Sequence, residues 1–86
     1  MIRYTTATQE ILKIWTPEQI REVFNRLRPC RAESLAIFQR ADRRIAYGIM
    51  ERAGMNPRIY TRQTIGRIAN ELKEAAGLPR HNLIAD

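Results

Sequence analysis

A chain of 86 residues is long enough for one small domain, because a chain of this length buries only about 60–65% of the surface that it exposes when unfolded. Fifteen basic residues against nine acidic ones give a net charge of +6, and no apolar run approaches the roughly 18 residues that a membrane span needs. The start of the chain also lacks the pattern of a secretory signal. We therefore expect a soluble, cytoplasmic protein of one domain, residues 1–86, with no membrane partner.

The basic residues are almost all arginine, thirteen of the fifteen. A guanidinium group can form two hydrogen bonds with a phosphate or with the edge of guanine, so a polyanion is the expected partner. A GC-rich genome would also raise the ratio of arginine to lysine, but it would not by itself produce the positive net charge.

Few residues in this sequence have the chemistry of a catalytic or metal site. Cys30 is the only cysteine and His81 the only histidine, so neither an internal disulfide nor a cysteine and histidine zinc site is possible. There are two aspartates and no glycine-rich phosphate loop. We expect a protein that is not an enzyme and that has no metal or cofactor, with Cys30 as a loop thiol and His81 in a tail.

The first two predicted elements are helices. Residues 7–14 form the first, which brings Trp15 towards the core. The second begins in "TPEQ", where Thr16 is the N-cap, Pro17 is the first helical residue, and Gln19 completes a capping box. This helix should end before Pro29.

Residues 32–53 keep a helical pattern throughout, and a single helix of that length would be about 33 Å long. Asp42 argues against one unbroken helix, because it would lie within the apolar face, where an unpaired carboxylate is unfavourable. As an N-cap, Asp42 would instead accept hydrogen bonds from the first amides of a new helix. The sequence thus predicts two helices, 32–40 and 43–53, with Gly54 after the second.

The last predicted helix begins after Asn56 or after Thr61, since either residue can act as an N-cap, and it ends at Gly77. Residues 79–86 follow as a short tail. We expect an all-α fold, a small bundle of four to five helices with little or no sheet. The predicted core consists of Ile20, Val23, Phe24, Leu27, Phe38, Ile45, Ile49, Ile65, Ile68 and Leu72.

The stretches "IAYGIMERAGMN" and "TRQTIGRIANEL" together resemble the two helices of a helix-turn-helix. Ala46 stands where that family has a small residue facing the partner helix, and Gly54 stands at the turn. Gln63, Thr64 and Ile65 resemble the start of a recognition helix in bacterial repressors, and "ELKEAAGLP" is similar to its end in winged-helix regulators. The resemblance covers residues 43–78. The turn "GMNPRIYTRQT" is longer than the three or four residues of the standard motif.

This resemblance implies a duplex DNA-binding protein, such as a transcriptional regulator of prokaryotic, phage or plasmid type, that acts as a homodimer. The start of the last helix would read base edges in the major groove, while Glu71 and Glu74 would lie where the helix leaves it. The candidate base-reading residues are Arg62, Gln63, Thr64, Arg67 and Asn70. The candidate phosphate-binding residues are Arg40, Arg43, Arg44 and Arg58.

Two other classes of function also fit the sequence. A small protein-binding inhibitor or accessory subunit of phage type would use aromatic residues such as Trp15, Tyr47 and Tyr60 as contacts. A binder of structured RNA would use the arginines, although no aromatic RNA-binding motif is present. For a dimer, the exposed candidates are the segment around Trp15 and the tail at residues 83–84.

Overall fold

The computed structural model describes residues 3–27 and 35–78, and within these ranges it contains helices and no strand. The prediction of an all-α fold is confirmed, and none of the described helices is long and apolar enough to cross a membrane. The elements are α1 (Thr6–Ile14), α2 (Pro17–Leu27), α3 (Leu35–Arg52), a short 3-10 helix (Pro57–Ile59) and α4 (Arg62–Ala75).

Side-chain caps begin these helices at the positions that the sequence indicates. In α2, the amide of Gln19 donates to the Thr16 hydroxyl over 3.1 Å, while the Thr16 amide donates to Gln19 Oε1 over 2.9 Å. Thr61 caps α4 by accepting a hydrogen bond from the Thr64 amide at 3.1 Å. Asn56 caps the 3-10 helix instead, accepting from the Arg58 amide at 3.2 Å. Both predicted start signals before α4 are therefore used, one for each element.

Glycines follow the ends of α3 and α4. Gly54 has φ of 84° and Gly77 has φ of 75°, a left-handed conformation in which a side chain is unfavourable. Gly77 has a second constraint, because a Cβ there would lie 3.1 Å from Nη2 of Arg21. Nε of Arg21 donates to the carbonyl oxygen of Ala76 over 2.9 Å, which ties α2 to the end of α4.

The predicted break in the third helical segment is wrong. From Leu35 to Arg52 the chain forms one unbroken helix, and Asp42 lies in its buried face with 2% of its surface exposed. Lys73 of α4 explains this placement, because its Nζ lies 2.6 Å from Oδ2 of Asp42 and its side chain is fully buried. The carboxylate is therefore paired inside the protein and is not an N-cap.

The core lies between α1, α2, α3 and α4, and most of the predicted core residues are buried in it. Two of the predicted core residues are not fully buried: Val23 is half-buried, and Leu27, at the end of α2, is 58% exposed. The apolar stripe of α2 thus extends one turn beyond the part of the helix that is covered. Ile11 and Met50 are fully buried core residues that the prediction did not include.

A buried carboxylate also fastens α1 to α4. Glu71 Oε1 accepts hydrogen bonds from the hydroxyl of Thr8 at 2.6 Å, the hydroxyl of Thr5 at 2.9 Å and the amide of Thr5 at 3.1 Å. Its other oxygen accepts from Nε of Arg67 at 3.2 Å. Burial alone would raise the pKa of this carboxyl, but the hydrogen bonds from Thr8, Thr5 and Arg67 together lower it below the usual value.

The buried ion pair can be tested with a double-mutant cycle. Lys73→Met should lower the free energy of unfolding by about 3–5 kcal/mol, because it leaves the charge of Asp42 buried without its ammonium partner. Asp42→Asn should also destabilise the fold, and the double variant should lose less than the sum of the two single losses. Urea denaturation measures all four free energies.

An exposed ion pair provides the control for this cycle. Lys13 Nζ lies 3.3 Å from Glu10 Oε2, with 70% and 53% of the side chains exposed. Lys13→Met should change stability by at most about 1 kcal/mol, as is typical of surface pairs. A loss for Lys73→Met no larger than that for Lys13→Met would contradict a structural role for the buried pair.

Glu71 makes the stability of the fold dependent on pH. Its pKa in the folded state lies below the ordinary value of 4.5, so its contribution is present above 4.5 and is lost as the pH falls through the folded-state pKa. Glu71→Gln should cost about 1–3 kcal/mol at neutral pH and should flatten the loss of stability below pH 4.5. Glu74→Gln, on the exposed side of the same helix, should keep the acid dependence of the parent. Urea denaturation across this range measures both, and equal acid profiles for the two variants would refute the assignment.

Candidate nucleic-acid interface

A concave surface lies between the solvent side of α3, the 3-10 helix and the start of α4. It encloses about 700 Å³ and is called the arginine pocket below. Its apolar and aromatic lining comes from Tyr47, Pro57, Tyr60 and Ile65. Its cationic lining consists of Arg40, Arg43, Arg44, Arg58 and Arg62.

The arginine pocket is strongly cationic. Within the described part of the chain no Asp or Glu lines it, and none of its five arginines forms an ion pair there. Guanidinium groups that line one surface repel one another, and their summed potential attracts anions to it. An anionic ligand would therefore be favoured here over a neutral or cationic one.

One hydrogen bond joins the two walls of the pocket. Nε of Arg58, in the 3-10 helix, donates to the hydroxyl of Tyr47 on α3 over 3.3 Å. This bond raises the pKa of the Arg58 guanidinium further, with a smaller contribution from the charge of Glu51. Arg58 is thus a permanent cation that is anchored through one nitrogen and keeps its remaining N–H groups for a ligand.

A second, polar depression continues from the pocket along the α3 and α4 surfaces. It is lined by Arg43 and Arg62, which it shares with the arginine pocket, by three amide side chains, and by Gly66, Ala69 and the buried, ion-paired Asp42. The three amides belong to Gln39, Gln63 and Asn70, and we call this depression the amide cleft. Amides and guanidinium groups are the side chains that form paired hydrogen bonds with base edges.

Gly66 lies on the floor of this cleft. A Cβ built at Gly66 would meet the aliphatic stem of Arg43 at 3.8 and 3.9 Å, an ordinary van der Waals distance. Gly66 is therefore not required by packing between α3 and α4. Because Gly66 has no side chain, the backbone of α4 is accessible from the cleft.

The five residues predicted to read base edges differ in their surroundings. Arg62 and Gln63 are exposed at the start of α4, and Asn70 is half-buried in the amide cleft. The Thr64 hydroxyl lies 3.0 Å from that of the N-cap Thr61. Arg67 is exposed but forms its ion pair with Glu71 at 3.2 Å. Base reading by these residues stays a prediction, with Arg62, Gln63 and Arg67 the exposed members of the set.

The four arginines predicted to bind phosphate all line the arginine pocket. Three of them lie on α3 at helical spacing, which the sequence pattern indicated. The 53–61 connection forms the other side of the pocket; the sequence indicated Arg58 there as a phosphate contact, but not that this connection folds back over α3. The Asn56 and Pro57 start signal was the available clue, because a short helix there turns Arg58 and Tyr60 towards α3.

An apolar groove lies on another side of α3. Val23 and Leu27 of α2 and Ala41, Ile45 and Ile49 of α3 line it. Gly48 also borders the groove, and a Cβ there would meet nothing within 4 Å. The groove is distinct from the arginine pocket, although Arg44 borders both.

Other predicted residues lie away from these surfaces. Trp15 is half-buried against the core, with the guanidinium carbon of Arg52 5.9 Å from the centre of its ring. Cys30, His81 and the tail at 79–86 lie outside the described residues. In the described ranges no three His, Cys, Asp or Glu side chains gather into a group that could hold a metal ion.

Comparisons of the chain with models of known protein families, with curated protein sequences and with solved structures found no match. The chain is thus characterised by its own geometry: a small four-helix unit that presents a cationic pocket and an adjoining amide cleft.

Proposed function

We propose that this protein binds duplex DNA through the arginine pocket and the amide cleft. The observation that carries this proposal is the convergence of five arginines on one concave surface, with no acidic residue lining it in the described part of the chain. Phosphates are the anions that such a density of guanidinium groups recognises best. The positive net charge of the whole chain adds attraction at long range.

The amide cleft favours DNA as the molecule that carries these phosphates. Gln63 and Asn70 lie on α4 and Gln39 faces them from α3, next to arginines that the pocket also uses. A surface that combines phosphate-binding and amide side chains suits a polymer that carries both phosphates and base edges. In this proposal the start of α4 enters the major groove, while the arginines of α3 and Arg58 contact the flanking phosphates.

A more specific version of this proposal is that the protein regulates transcription as a homodimer. It rests on the resemblance of residues 43–78 to a helix-turn-helix unit. The connection between α3 and α4 runs from 53 to 61 and contains its own 3-10 helix, so it is longer than the standard turn. If the unit binds DNA, this longer connection contributes Arg58 to the interface.

A protein-binding accessory role is the second candidate function. The apolar groove favours it, because Leu27 is 58% exposed beside the half-buried Val23. An exposed apolar groove suits a protein partner better than a nucleic acid. This surface is separate enough from the amide cleft that the two roles predict different sensitive residues.

Arginine variants test the DNA-binding proposal. Arg62→Ala should weaken binding to a preferred duplex by about 1–3 kcal/mol and should have much less effect on random DNA, because a lost base contact removes specificity. Arg44→Ala should weaken binding to all duplexes alike and should reduce the slope of log affinity against log salt by about 0.9. Titration of labelled duplexes at several salt concentrations measures both effects.

Arg26→Ala is the matched control, since it removes the same charge from α2. Arg26 is exposed and forms its ion pair with Glu22 at 3.4 Å, away from the pocket and the cleft. It should leave the affinity and the salt slope near those of the parent. If the Arg62 and Arg44 variants bind every duplex as tightly as the Arg26 variant, the proposed interface is wrong, and the apolar groove becomes the better candidate surface.

A pair of glycine variants tests whether DNA approaches the backbone of α4. Both Gly66→Ala and Gly48→Ala should raise the free energy of unfolding by about 0.5–1 kcal/mol, because alanine favours the helix and neither Cβ clashes. Only Gly66→Ala places a methyl group in the amide cleft, so it alone should lower the affinity for DNA. Thermal denaturation and duplex titration measure the two effects. Unchanged affinity in both variants would rule out close contact at Gly66.

A further inference from the structure

The arginine pocket has an apolar wall that phosphate binding does not explain. Tyr47 and Tyr60 are each half-buried and line the pocket together with the cationic side chains, so part of each is accessible. Pro57 and Ile65 also line it, but both are buried, and Ile65 and Tyr60 pack on the core. Phosphates would use the guanidinium groups and leave the accessible parts of the two tyrosines uncovered.

The shape of the pocket also distinguishes between possible ligands. The pocket is an open depression of about 700 Å³, which gives room for one nucleotide but not for a double helix. A concave site receives a group that protrudes from its partner, whereas a DNA groove receives a convex element such as a helix. The pocket therefore suits a single unit of a nucleic acid that stands outside the stacked duplex.

We propose that the arginine pocket holds one unpaired nucleotide, with its base against Tyr47 and Tyr60 and its phosphate on the surrounding arginines. Stacking on an aromatic side chain is available to every base, and arginines follow the strand on either side. The proposal rests on the proposed function, because the nucleotide belongs to a DNA strand whose paired part lies along the amide cleft. A free mononucleotide has the same chemistry, and the experiment separates the two sources.

Within this site Tyr47 has two roles. Its ring forms part of the wall, and its hydroxyl accepts the hydrogen bond from Nε of Arg58. That bond positions Arg58 on the side of the pocket opposite the arginines of α3. Tyr60 lines the same space without a side-chain hydrogen bond among the described residues, so the two tyrosines can be varied for different purposes.

The experiment compares three duplexes of one sequence with identical ends: a fully paired one, one with a single bulged nucleotide in the middle, and one with an abasic bulge at the same place. The bulged duplex should bind the parent protein about tenfold more tightly than the paired one, because the unpaired base can stack on an aromatic side chain. The abasic bulge should bind like the paired duplex. Free nucleoside monophosphate is titrated separately.

Variants assign this preference to the pocket. Tyr60→Leu keeps an apolar side chain and removes the ring, so it should abolish the preference for the bulge. Tyr47→Phe keeps the ring and removes the bond to Arg58, so it should reduce the preference less. Gln63→Ala, in the amide cleft and outside the pocket, should weaken paired and bulged duplexes by the same factor. Circular dichroism confirms that each variant is folded.

The outcomes separate the two proposals. Equal affinity of the parent for bulged and paired DNA would overturn the nucleotide site and leave duplex binding intact. A bulge preference that survives Tyr60→Leu would also overturn it. Failure to bind any of the three duplexes would refute the proposed function itself. Tight binding of free mononucleotide, with no preference for the bulge, would overturn the assignment to a DNA strand.

Discussion

The buried pair of Asp42 and Lys73 is the constraint on which the candidate site depends. With 2.6 Å between Oδ2 and Nζ and both side chains buried, it links the middle of α3 to the last turns of α4. A buried charge is tolerated only with its partner in place, so the pair fixes which faces of the two helices meet. Asp42 itself borders the amide cleft, and its neighbour Arg43 lines both the cleft and the arginine pocket.

Local signals in the sequence predicted the helix ends well, because a cap depends on residues three or four positions apart. Thr16 with Gln19, Asn56, Thr61 and Gly77 all act as their types predict. The error at Asp42 has a different origin. An aspartate within an apolar stripe suggests an N-cap when no partner for its charge is known. The partner of Asp42 is Lys73, which lies 31 residues away on another helix. The sequence placed Glu71 with Glu74 on the outer surface for the same reason, since its partners Thr5 and Thr8 lie 66 and 63 residues earlier.

Part of the candidate site could likewise be predicted and part could not. The arginines of α3 share a face because of helical periodicity, so their proximity follows from sequence. The opposite wall depends on how the 53–61 connection folds back, a tertiary feature that the hydrogen bond from Arg58 to Tyr47 records. The pocket is therefore a product of the long connection, the same feature that sets this unit apart from a standard helix-turn-helix.

The distribution of charges in this protein links its stability to the proposed binding of an anion. Asp42 and Glu71 are both turned inward, where they pair with Lys73, Arg67 and hydroxyl groups. The first turn of α4 holds no acidic residue, although acids are favoured at that end of a helix. The buried charges of the protein are paired with opposite charges, whereas the arginines of the pocket carry like charges and repel one another in the free protein. A bound anion would relieve that repulsion, and an anion that binds the folded state more tightly than the unfolded chain would also stabilise the fold.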